Sequence, residues 1–557
     1  MSGIVAILYI VSQSNKRMKN ILYASFAFVI SSTKVLVTVR AKVLLAFFIF
    51  HLSLLISLAA QPSIQWQRSL GGTGSEVAHA IEKTNDGGYI IVGFTTSNNG
   101  DVLGNHGGGD CWVLKLNAMG EIQWQRTLGG TSTESAYSVQ ATSDGGYIVV
   151  GQTYSNDGDV SGNHGDWDCW VVKLSSTGVI EWQKTLGGSN VDQAYTIQQT
   201  FDGGYILAGK SVSNDGDVTG NHGYFDVWVV KLNDMGDIQW QKSLGGGTGA
   251  EFAQSVRQTS DGGYIVAGST NSTDGDVSGN NGTDDYWVVK LTSTGIIEWQ
   301  KALGGKSIDV AHSIYQTSDG GYVVVGHSGS NNSGDVSGNH GGFDAWVVKL
   351  NSTGELLWQK SLGGSGPDWG FSIQQTNDDG YIISGETQST DGDVLGNDGG
   401  ADSWVIKLNN LGEVQWQRTF GGLEAEGANS IQQTYDGGYI VAGFAYSNDG
   451  DVSGNHGVRD LWVVKLSPES VSTKEDIPVR TLDIYPNPAQ QSINIKIPLP
   501  ESACSVSISD LLGRELSRQT ISNDRNIDIA SLPTGLYLLT ATTSSGSVYT
   551  GKFIKQE

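Results

Sequence analysis

Proline is almost absent from the first 467 residues of this 557-residue chain. Only Pro62 and Pro367 occur there, whereas the other seven prolines lie at or after position 468. No segment repeats its apolar residues at a 3.6-residue period over a length that would support an α-helix. The missing period excludes a helical fold. The shift in proline content predicts a domain boundary, with a linker over 468–480.

Cysteine and basic residues are also scarce. The three cysteines are Cys111, Cys169 and Cys504, an odd number that gives neither a disulfide framework nor a metal-binding motif. Cys111 and Cys169 occupy equivalent places in a repeated pattern, which predicts a packing role. The 33 Lys and Arg residues face 57 Asp and Glu residues, for a net charge of −24, and they form no cluster. We therefore expect no nucleic acid partner.

Glycine, in contrast, is abundant, and its 77 residues follow a pattern instead of marking disorder. Tryptophan shows the period most clearly. One series, spaced by 58 or 59 residues, is Trp112, Trp170, Trp228, Trp287, Trp346, Trp404 and Trp462. A fixed spacing of this length indicates a repeat architecture with seven units.

Each unit contains four short apolar runs separated by Gly, Asp and Asn. In the second unit they lie at about 136–142, 147–153, 168–174 and 180–186. The runs have strand length and are rich in Val, Ile, Tyr and Trp, and the Asp144-Gly-Gly sequence after the first run is typical of a hairpin turn. The predicted fold is all-β, a seven-bladed β-propeller of four-stranded blades followed by a small β domain. A β-solenoid and independent immunoglobulin-like domains are the alternatives.

The order of the runs predicts how the ring closes. The repeat region spans 61–467, and its first run, 64–70, resembles the fourth run of a unit. Its last run, 461–466, resembles the third run. Seven complete sheets therefore require the N-terminal run to pair with the last unit. Such pairing also removes an open sheet edge, which would favour aggregation.

Residues 1–60 contain no repeat. A basic segment precedes an apolar run over 43–58 that ends near Ala60, as in a secretory signal peptide. The segment 1–37 is unusually long for such a signal. We favour a translation start that lies further along the chain, and an N-terminal membrane anchor is the alternative. We expect no stable membrane span in the mature chain.

Residues 481–557 carry four short motifs. In order, they are Tyr485-Pro-Asn-Pro488, Asp510-Leu-Leu-Gly-Arg514, Leu532-Pro-Thr-Gly-Leu-Tyr537 and Gly551-Lys-Phe-Ile-Lys555. This arrangement resembles the type A C-terminal sorting domain of type IX secretion cargo in Bacteroidota. The resemblance implies an immunoglobulin-like β-sandwich that engages the secretion machinery through residues 481–557. It also implies export of the cargo to the outer-membrane cell surface or the medium.

The longest loop of each unit joins the second and third runs and is acidic. In a meander it lies at the same end as the loop between sheets, so seven acidic loops should share one face of the ring. Oxygen ligands at alternate positions suit Ca²⁺, whereas Asp and Asn also cap turns through backbone amides. We interpret the recurring histidine, His164 in the second unit, as a loop residue and not as a metal ligand. The candidate Ca²⁺ ligands, repeated in other units, are Asp157, Asp159, Asn163, Asp168, Asp215, Asp217, Asn221 and Asp226.

No catalytic constellation is apparent, so the sequence favours a binding protein over an enzyme. Residues that break the repeat are candidates for a ligand site, because exposed aromatic rings beside carboxylates suit sugar stacking. We expect a surface module that binds a glycan or a protein. An extracellular polysaccharide-degrading enzyme and a purely structural surface protein are the alternatives. The non-repeating candidates, which we expect in loops on the acidic face, are Trp167, Tyr224, Phe225, Phe343, Asp368, Trp369 and Arg459.

Overall fold

A computed structural model describes residues 61–469, 480–496, 504–509, 515–521, 526–543 and 548–556. The predicted signal peptide and the alternative anchor lie outside these residues. The chain divides into two compact units, and the first ends at Ser470, inside the predicted linker. No helix in the described part is long and apolar enough to cross a membrane.

The first unit consists of strands. They are β1 (Ile64–Leu70), β2 (Glu76–Lys83), β3 (Tyr89–Thr95), β4 (Asp110–Leu116), β5 (Ile122–Leu128), β6 (Glu134–Ala141), β7 (Tyr147–Thr153), β8 (Asp168–Leu174), β9 (Ile180–Leu186), β10 (Asp192–Gln199), β11 (Tyr205–Ser211), β12 (Asp226–Leu232), β13 (Ile238–Leu244), β14 (Glu251–Gln258), β15 (Tyr264–Thr270), β16 (Asp285–Leu291), β17 (Ile297–Leu303), β18 (Asp309–Gln316), β19 (Tyr322–Ser328), β20 (Asp344–Leu350), β21 (Leu356–Leu362), β22 (Asp368–Gln375), β23 (Tyr381–Thr387), β24 (Asp402–Leu408), β25 (Val414–Phe420), β26 (Glu426–Gln433), β27 (Tyr439–Ala445) and β28 (Asp460–Leu466).

These strands form seven four-stranded antiparallel sheets. We call them blades I to VII: β2–β5, β6–β9, β10–β13, β14–β17, β18–β21, β22–β25, and β26–β28 with β1. In blade VII, β1 pairs with β28, and Arg68 lies opposite Val463. The indole nitrogen of Trp462 donates a hydrogen bond to Gln67 Oε1 at 2.7 Å. The predicted pairing of the N-terminal run with the last unit is therefore confirmed.

Each hydrophobic core of the ring is shared by two neighbouring blades. Between blades I and II, Val113 of blade I packs with Trp170 of blade II. The same type of core joins blades VII and I, where Leu461 packs with Trp112. Equivalent cores lie between the other neighbours, so the sheets close into a β-propeller, as predicted. Because both faces of every blade are covered, the third strands are buried along their whole length.

The first strands of consecutive blades contact one another around the whole ring and so surround its axis. Each first strand contains a β-bulge. In blade II, Ala136 pairs with Gly151 and Ser138 with Val150, which leaves Tyr137 without a partner in the ladder. A bulge redirects a side chain and often occurs beside a functional site. The seven bulged residues, here called the axial residues, are His79, Tyr137, Tyr195, Gln254, His312, Phe371 and Asn429.

The turn between the first and second strands is held by a buried lysine of the third strand. In blade II, Lys173 Nζ lies 2.9 Å from Asp144 Oδ2 and donates to the backbone carbonyl of Leu174 at 3.2 Å. Gly145 in this turn has a φ of +86°, a conformation that favours glycine. The hairpin turn predicted from Asp144-Gly-Gly is therefore present, and an ion pair with a buried lysine stabilises it.

The second unit is a small two-sheet β structure. Its strands are β29 (Arg480–Thr481), β30 (Asp483–Tyr485), β31 (Ser492–Lys496), β32 (Cys504–Ser509), β33 (Glu515–Ile521), β34 (Asn526–Asp528), β35 (Gly535–Thr543) and β36 (Val548–Lys555). One sheet has the order β29-β36-β35-β32-β33 and the other β30-β31-β34. Ile493 from the smaller sheet and Leu539 and Phe553 from the larger sheet share one core. The unit is therefore a β-sandwich, in agreement with the expected small β domain.

Candidate functional site

The acidic loops lie together at one end of the ring, beside the connections between blades. In the loop of blade II, the backbone N–H of Asp159 donates to the carbonyl of Gly129 at 2.9 Å. Gly129 in turn donates its N–H to Asp159 Oδ2 at 3.3 Å. Gly129 belongs to the connection between blades I and II, so the long loop and the blade connection meet at the same end, as the meander predicts.

Two of the predicted ligand types are engaged in capping these loops. Asp157 accepts hydrogen bonds from the N–H and the hydroxyl of Thr131, both at 2.8 Å. These bonds, the backbone one first, lower the pKa of Asp157. Asn163 Oδ1 accepts the N–H of Gly165 at 2.9 Å, and its amide donates to the carbonyl of Thr153. Asp215 and Asn221 make corresponding contacts in blade III.

The aspartate that begins each third strand has a different environment. Asp168 is fully buried, and its Oδ2 accepts both the N–H and the Nδ1–H of His164 at 2.8 Å. Its Oδ1 has no hydrogen-bond partner, and burial raises the pKa of the carboxyl group. The same unpartnered oxygen is present in all seven blades, at Asp110, Asp168, Asp226, Asp285, Asp344, Asp402 and Asp460.

Each blade contains a second buried acid that was not predicted from the sequence. In blade II, Glu134 Oε1 accepts the Thr153 hydroxyl at 2.8 Å, and Oε2 accepts the N–H of Gly130, also at 2.8 Å. The sequence does show this acid, because Glu or Asp begins the first strand of every unit. The seven residues are Glu76, Glu134, Asp192, Glu251, Asp309, Asp368 and Glu426, all fully buried.

The two acids meet between blades. Asp168 Oδ1 and Asp192 Oδ2 lie 2.7 and 2.8 Å from the point where a Cβ on Gly187 would stand. We call this pairing of third-strand and first-strand acids an acid junction. The structure thus separates the predicted ligands, because Asp157 and Asn163 cap loops while Asp168 joins an acid of the next blade. In the described part of the chain, no three acidic, histidine or cysteine side chains form a complete metal-ligand group.

A cavity of about 480 Å³ opens beside the axis between blades VII, I and II. Its wall includes three axial residues, and the rings of His79 and Tyr137 have centroids 5.0 Å apart. Asn429 donates its amide to the carbonyl of Ala78 at 2.8 Å, which links blade VII to blade I. The lining residues are Val77, His79, Phe94, Thr133, Ser135, Tyr137, Gln152, Asn429, Phe444 and Arg459.

The residues around the axis differ from blade to blade. Four positions vary: the second residue of the first strand, the axial residue, the sixth residue of the second strand, and the residue before the third strand. In blade I they are Val77, His79, Phe94 and Gly109, and in blade III they are Gln193, Tyr195, Lys210 and Phe225. The repeated residues therefore build the blades, whereas residues at these variable positions in blades VII, I and II line the cavity.

Aromatic rings and cations pair among these variable residues. Arg459 Cζ lies 5.4 Å from the ring centroid of Phe444, and its Nε donates to the Ser75 hydroxyl at 3.0 Å. Lys210 Nζ lies 4.8 Å from the centroid of Phe225, and burial lowers its pKa. An aromatic ring face attracts a cation and so takes the place of a carboxylate partner.

The structure places most of the predicted non-repeating residues near the third strands, with two exceptions. Trp167, Phe225, Phe343 and Arg459 immediately precede third strands. Tyr224 lies one residue further away and is 63% exposed. Asp368 and Trp369, predicted to lie in a loop, instead begin strand β22. Asp368 is one of the repeated acids, so its classification as a non-repeating residue was wrong.

In the second unit, two of the sequence motifs contact each other. The amide of Asn487 donates to the carbonyl of Lys552 at 2.9 Å. Asn487 Oδ1 accepts the N–H of Ile554, also at 2.9 Å. The Pro-Asn-Pro turn is thereby fastened to the last strand, which explains physically why both motifs occur in one small domain.

Among curated proteins, the regulatory protein FlaEY of Caulobacter vibrioides is similar to this chain. The two are 24% identical over 401 residues, which are 64% of this chain and 41% of that protein. The chain therefore spans less than half of the length of this relative.

Among solved structures, puromycin hydrolase is similar at 13% identity and a TM-score of 0.36, over 70% of this chain and 52% of that chain. An extracellular domain assigned to a hybrid two component system of B. thetaiotaomicron is similar at 10% identity and a TM-score of 0.27, over 86% and 68% of the two chains.

The comparison with protein families concerns the second unit. Residues 483–556 match the secretion system C-terminal sorting domain. The match covers the four motifs and the sandwich described above. Residues 483–556 are therefore a type IX secretion sorting domain, which directs the chain to the cell surface or the medium.

Proposed function

We propose that the exported propeller is a non-catalytic module that binds a neutral glycan in the cavity beside its axis. The observation that carries this proposal is the position of the variable residues. Seven blades share nearly the same buried residues, yet the four positions that surround the axis differ in each blade. Packing alone would favour the same residue at equivalent positions, so variation among neighbouring side chains that line one cavity is typical of a binding site.

The chemistry of the cavity suits a saccharide. Its volume of about 480 Å³ lies within the range of small-molecule sites, roughly 300–1,000 Å³. His79, Tyr137 and Phe94 offer ring faces and edges on which the C–H face of a sugar can stack. Gln152, Asn429 and Ser135 add donors and acceptors for hydroxyl groups.

Charge and composition favour a neutral ligand and binding without hydrolysis. Seven acidic loops share the end of the ring on which the variable residues lie, and the chain has a net charge of −24, so an anionic glycan would be repelled. A glycosidase uses two carboxyl groups about 5–9.5 Å apart. The described residues that line the cavity include neither Asp nor Glu.

The test is a glycan array probed with the full chain, followed by titration of the best ligand. Tyr137→Asn should lower the affinity by about tenfold or more, because it removes an aromatic ring worth about 1.4 kcal/mol or more in binding. Asn already occupies the equivalent position in blade VII, as Asn429, so the substitution is compatible with the fold.

The matched control is Phe201→Ala. Phe201 is 77% exposed and lies in the turn at the opposite end of blade III, so its removal should not change the affinity. Binding of no glycan, or equal losses from both variants, would contradict the proposal. Release of reducing sugar from a bound polysaccharide would favour the alternative of a degrading enzyme.

A further inference from the structure

A second layer of side chains surrounds the axis, three residues beyond the axial residues. It consists of the seventh residue of each first strand, and we call it the inner ring. Gln140 Oε1 of blade II accepts the N–H of Gln199 in blade III, and Gln198 Oε1 accepts the N–H of Gln258 in blade IV at 2.6 Å. These bonds cross from one first strand to the next, and the side chains are partly exposed, so they line the space around the axis. The seven residues are Glu82, Gln140, Gln198, Arg257, Tyr315, Gln374 and Gln432.

Arg257 differs from the rest of the inner ring because it stands where four blades have glutamine. A guanidinium carries only donors, so it cannot accept the N–H of the next blade. Its Nε is buried and has no hydrogen-bond partner, and none of the described carboxylates forms an ion pair with it. Burial lowers the pKa of Arg257, whereas Glu82 and Tyr315 of the same ring act in the opposite direction. A buried cation without a partner is costly, which points to a ligand.

The glutamines of the inner ring offer further donors. The Oε1 atom of each accepts a backbone N–H, so the amide nitrogen, which can only donate, remains available. These nitrogens make no hydrogen bond with any described residue. Glu82 is the carboxylate of the ring, and it accepts the N–H of Ala141 at 3.0 Å. One guanidinium and four available amide groups therefore face a single carboxylate. The four glutamines are Gln140, Gln198, Gln374 and Gln432.

The charges near the inner ring permit an anion in spite of the net charge of the chain. Each first strand begins beside the acidic loops and ends at the hairpin turn, so the inner ring lies toward the opposite end from those loops. The turn aspartates at this end are paired with lysines, as Asp144 is with Lys173 and Asp261 with Lys290, at 2.9 and 3.0 Å. The unpaired charge nearest to the axis here is the guanidinium of Arg257.

We propose that Arg257 and the amide groups of the inner ring bind a small monocarboxylate on the axis of the propeller. The Nε–H and one Nη–H of the guanidinium would donate in parallel to the two carboxylate oxygens, an arrangement that suits the planar shape of both groups. Glu82 disfavours a doubly charged anion, because it adds a negative charge to the same ring. Three residues of a strand span about 10 Å, so this site is separate from the axial residues of the proposed glycan site.

The experiment is equilibrium dialysis of the full chain against radiolabelled acetate at pH 7.5 and constant ionic strength. We expect saturable binding of one acetate per chain. Arg257→Gln should weaken this binding by about tenfold or more, because it removes the charged donor. Glutamine occupies the same position in four blades, so the variant should fold, and its far-ultraviolet circular dichroism spectrum should match that of the parent chain.

Two further variants make the test specific. Arg126→Gln is the matched control, because Arg126 lies on the fourth strand of blade I and should not affect acetate binding. Glu82→Gln removes the facing carboxylate and should tighten it. The absence of saturable binding, or equal binding by the parent chain and Arg257→Gln, would overturn the proposal. Chloride that displaces acetate at equal concentration would overturn the assignment to a carboxylate. Glycan binding should be unchanged in Arg257→Gln, so the two proposals fail independently.

Discussion

At the scale of single residues, the same type of side chain serves three purposes in each blade. Asp157 accepts hydrogen bonds from an exposed loop. Asp144 pairs with a buried lysine at the opposite end, and its pKa falls to about 2 although burial, the largest influence, acts in the other direction. Asp168 is buried beside another acid, and burial raises its pKa. Surroundings, and not residue type, therefore decide what each carboxylate does.

The acid junctions that contain Asp285 and Asp402, where no histidine contacts the aspartate, predict that the stability of the chain depends on pH. Burial raises the pKa of Asp285 and of Asp402 to about 7. A carboxyl group whose pKa is higher in the folded state keeps its proton there while the unfolded chain releases it. Its contribution to stability is complete below the unfolded pKa of about 3.8 and is lost as the pH rises to about 7.

The variant Asp285→Asn tests this dependence in EDTA. Asn stays neutral, so the variant should gain stability relative to the parent chain as the pH rises from about 4 to about 7. The gain should be at most about 1.4 kcal/mol per pH unit in that window. Chemical denaturation at several pH values measures it. Asp144→Asn is the control, because the pKa of Asp144 is lowered to about 2 and its loss should change stability by the same amount throughout this window. A stability difference that does not change with pH would contradict the pKa assignment.

At the scale of elements, one strand decides whether the ring is closed. β1 supplies the fourth strand of blade VII from the opposite end of the repeat region. Without it, β28 would expose a row of unpaired N–H and C=O groups over Asp460–Leu466, together with the partly covered ring of Trp462. Such an edge is a template for pairing with another chain.

Deletion of residues 61–72 from the full chain should therefore cause aggregation and a lower melting temperature. Static light scattering and thermal unfolding measure the two effects. A chain that lacks only residues 61 and 62 retains β1 and is the control. If the longer deletion were as soluble and as stable as the control, closure by β1 would be unimportant for the propeller.

At the scale of the whole molecule, the second unit determines where the protein goes, and the proposed ligand site lies in the first. Residues 483–556 match the sorting domain, whereas the propeller ends before the boundary at Ser470. The two units have separate hydrophobic cores. Export and ligand binding should therefore be separable by truncation.

Removal of residues 481–557 should leave the protein in the periplasm of a host with a type IX secretion system. The propeller should still fold, because its blades close on one another without the second unit. Cell fractionation measures the location, and resistance to limited proteolysis measures the fold. The full chain processed in parallel is the control. Surface display of the truncated chain at the normal level would show that export uses another signal.

The sequence by itself determined the repeat, the strands and the destination of the protein. The period of 58 or 59 residues gave seven units, and the apolar runs gave four strands in each, because burial on both faces demands continuous Val, Ile and Trp. The order of the first and last runs was sufficient to predict ring closure. The four C-terminal motifs were sufficient to identify the sorting domain, since their residues occur close together and in a fixed order.

Only the tertiary structure decided which residues meet between blades. Asp168 and Asp192 are 24 positions apart and belong to different blades, so no local pattern reveals that they share one junction. Tyr137 turns toward the axis because a bulge shifts it out of the strand's alternation, which the run of apolar residues conceals. The loops could be recognised as acidic from the sequence. Whether a carboxylate caps a turn or pairs with a buried acid depends on the groups that it contacts. These groups are backbone amides in the first case and an acid of the neighbouring blade in the second.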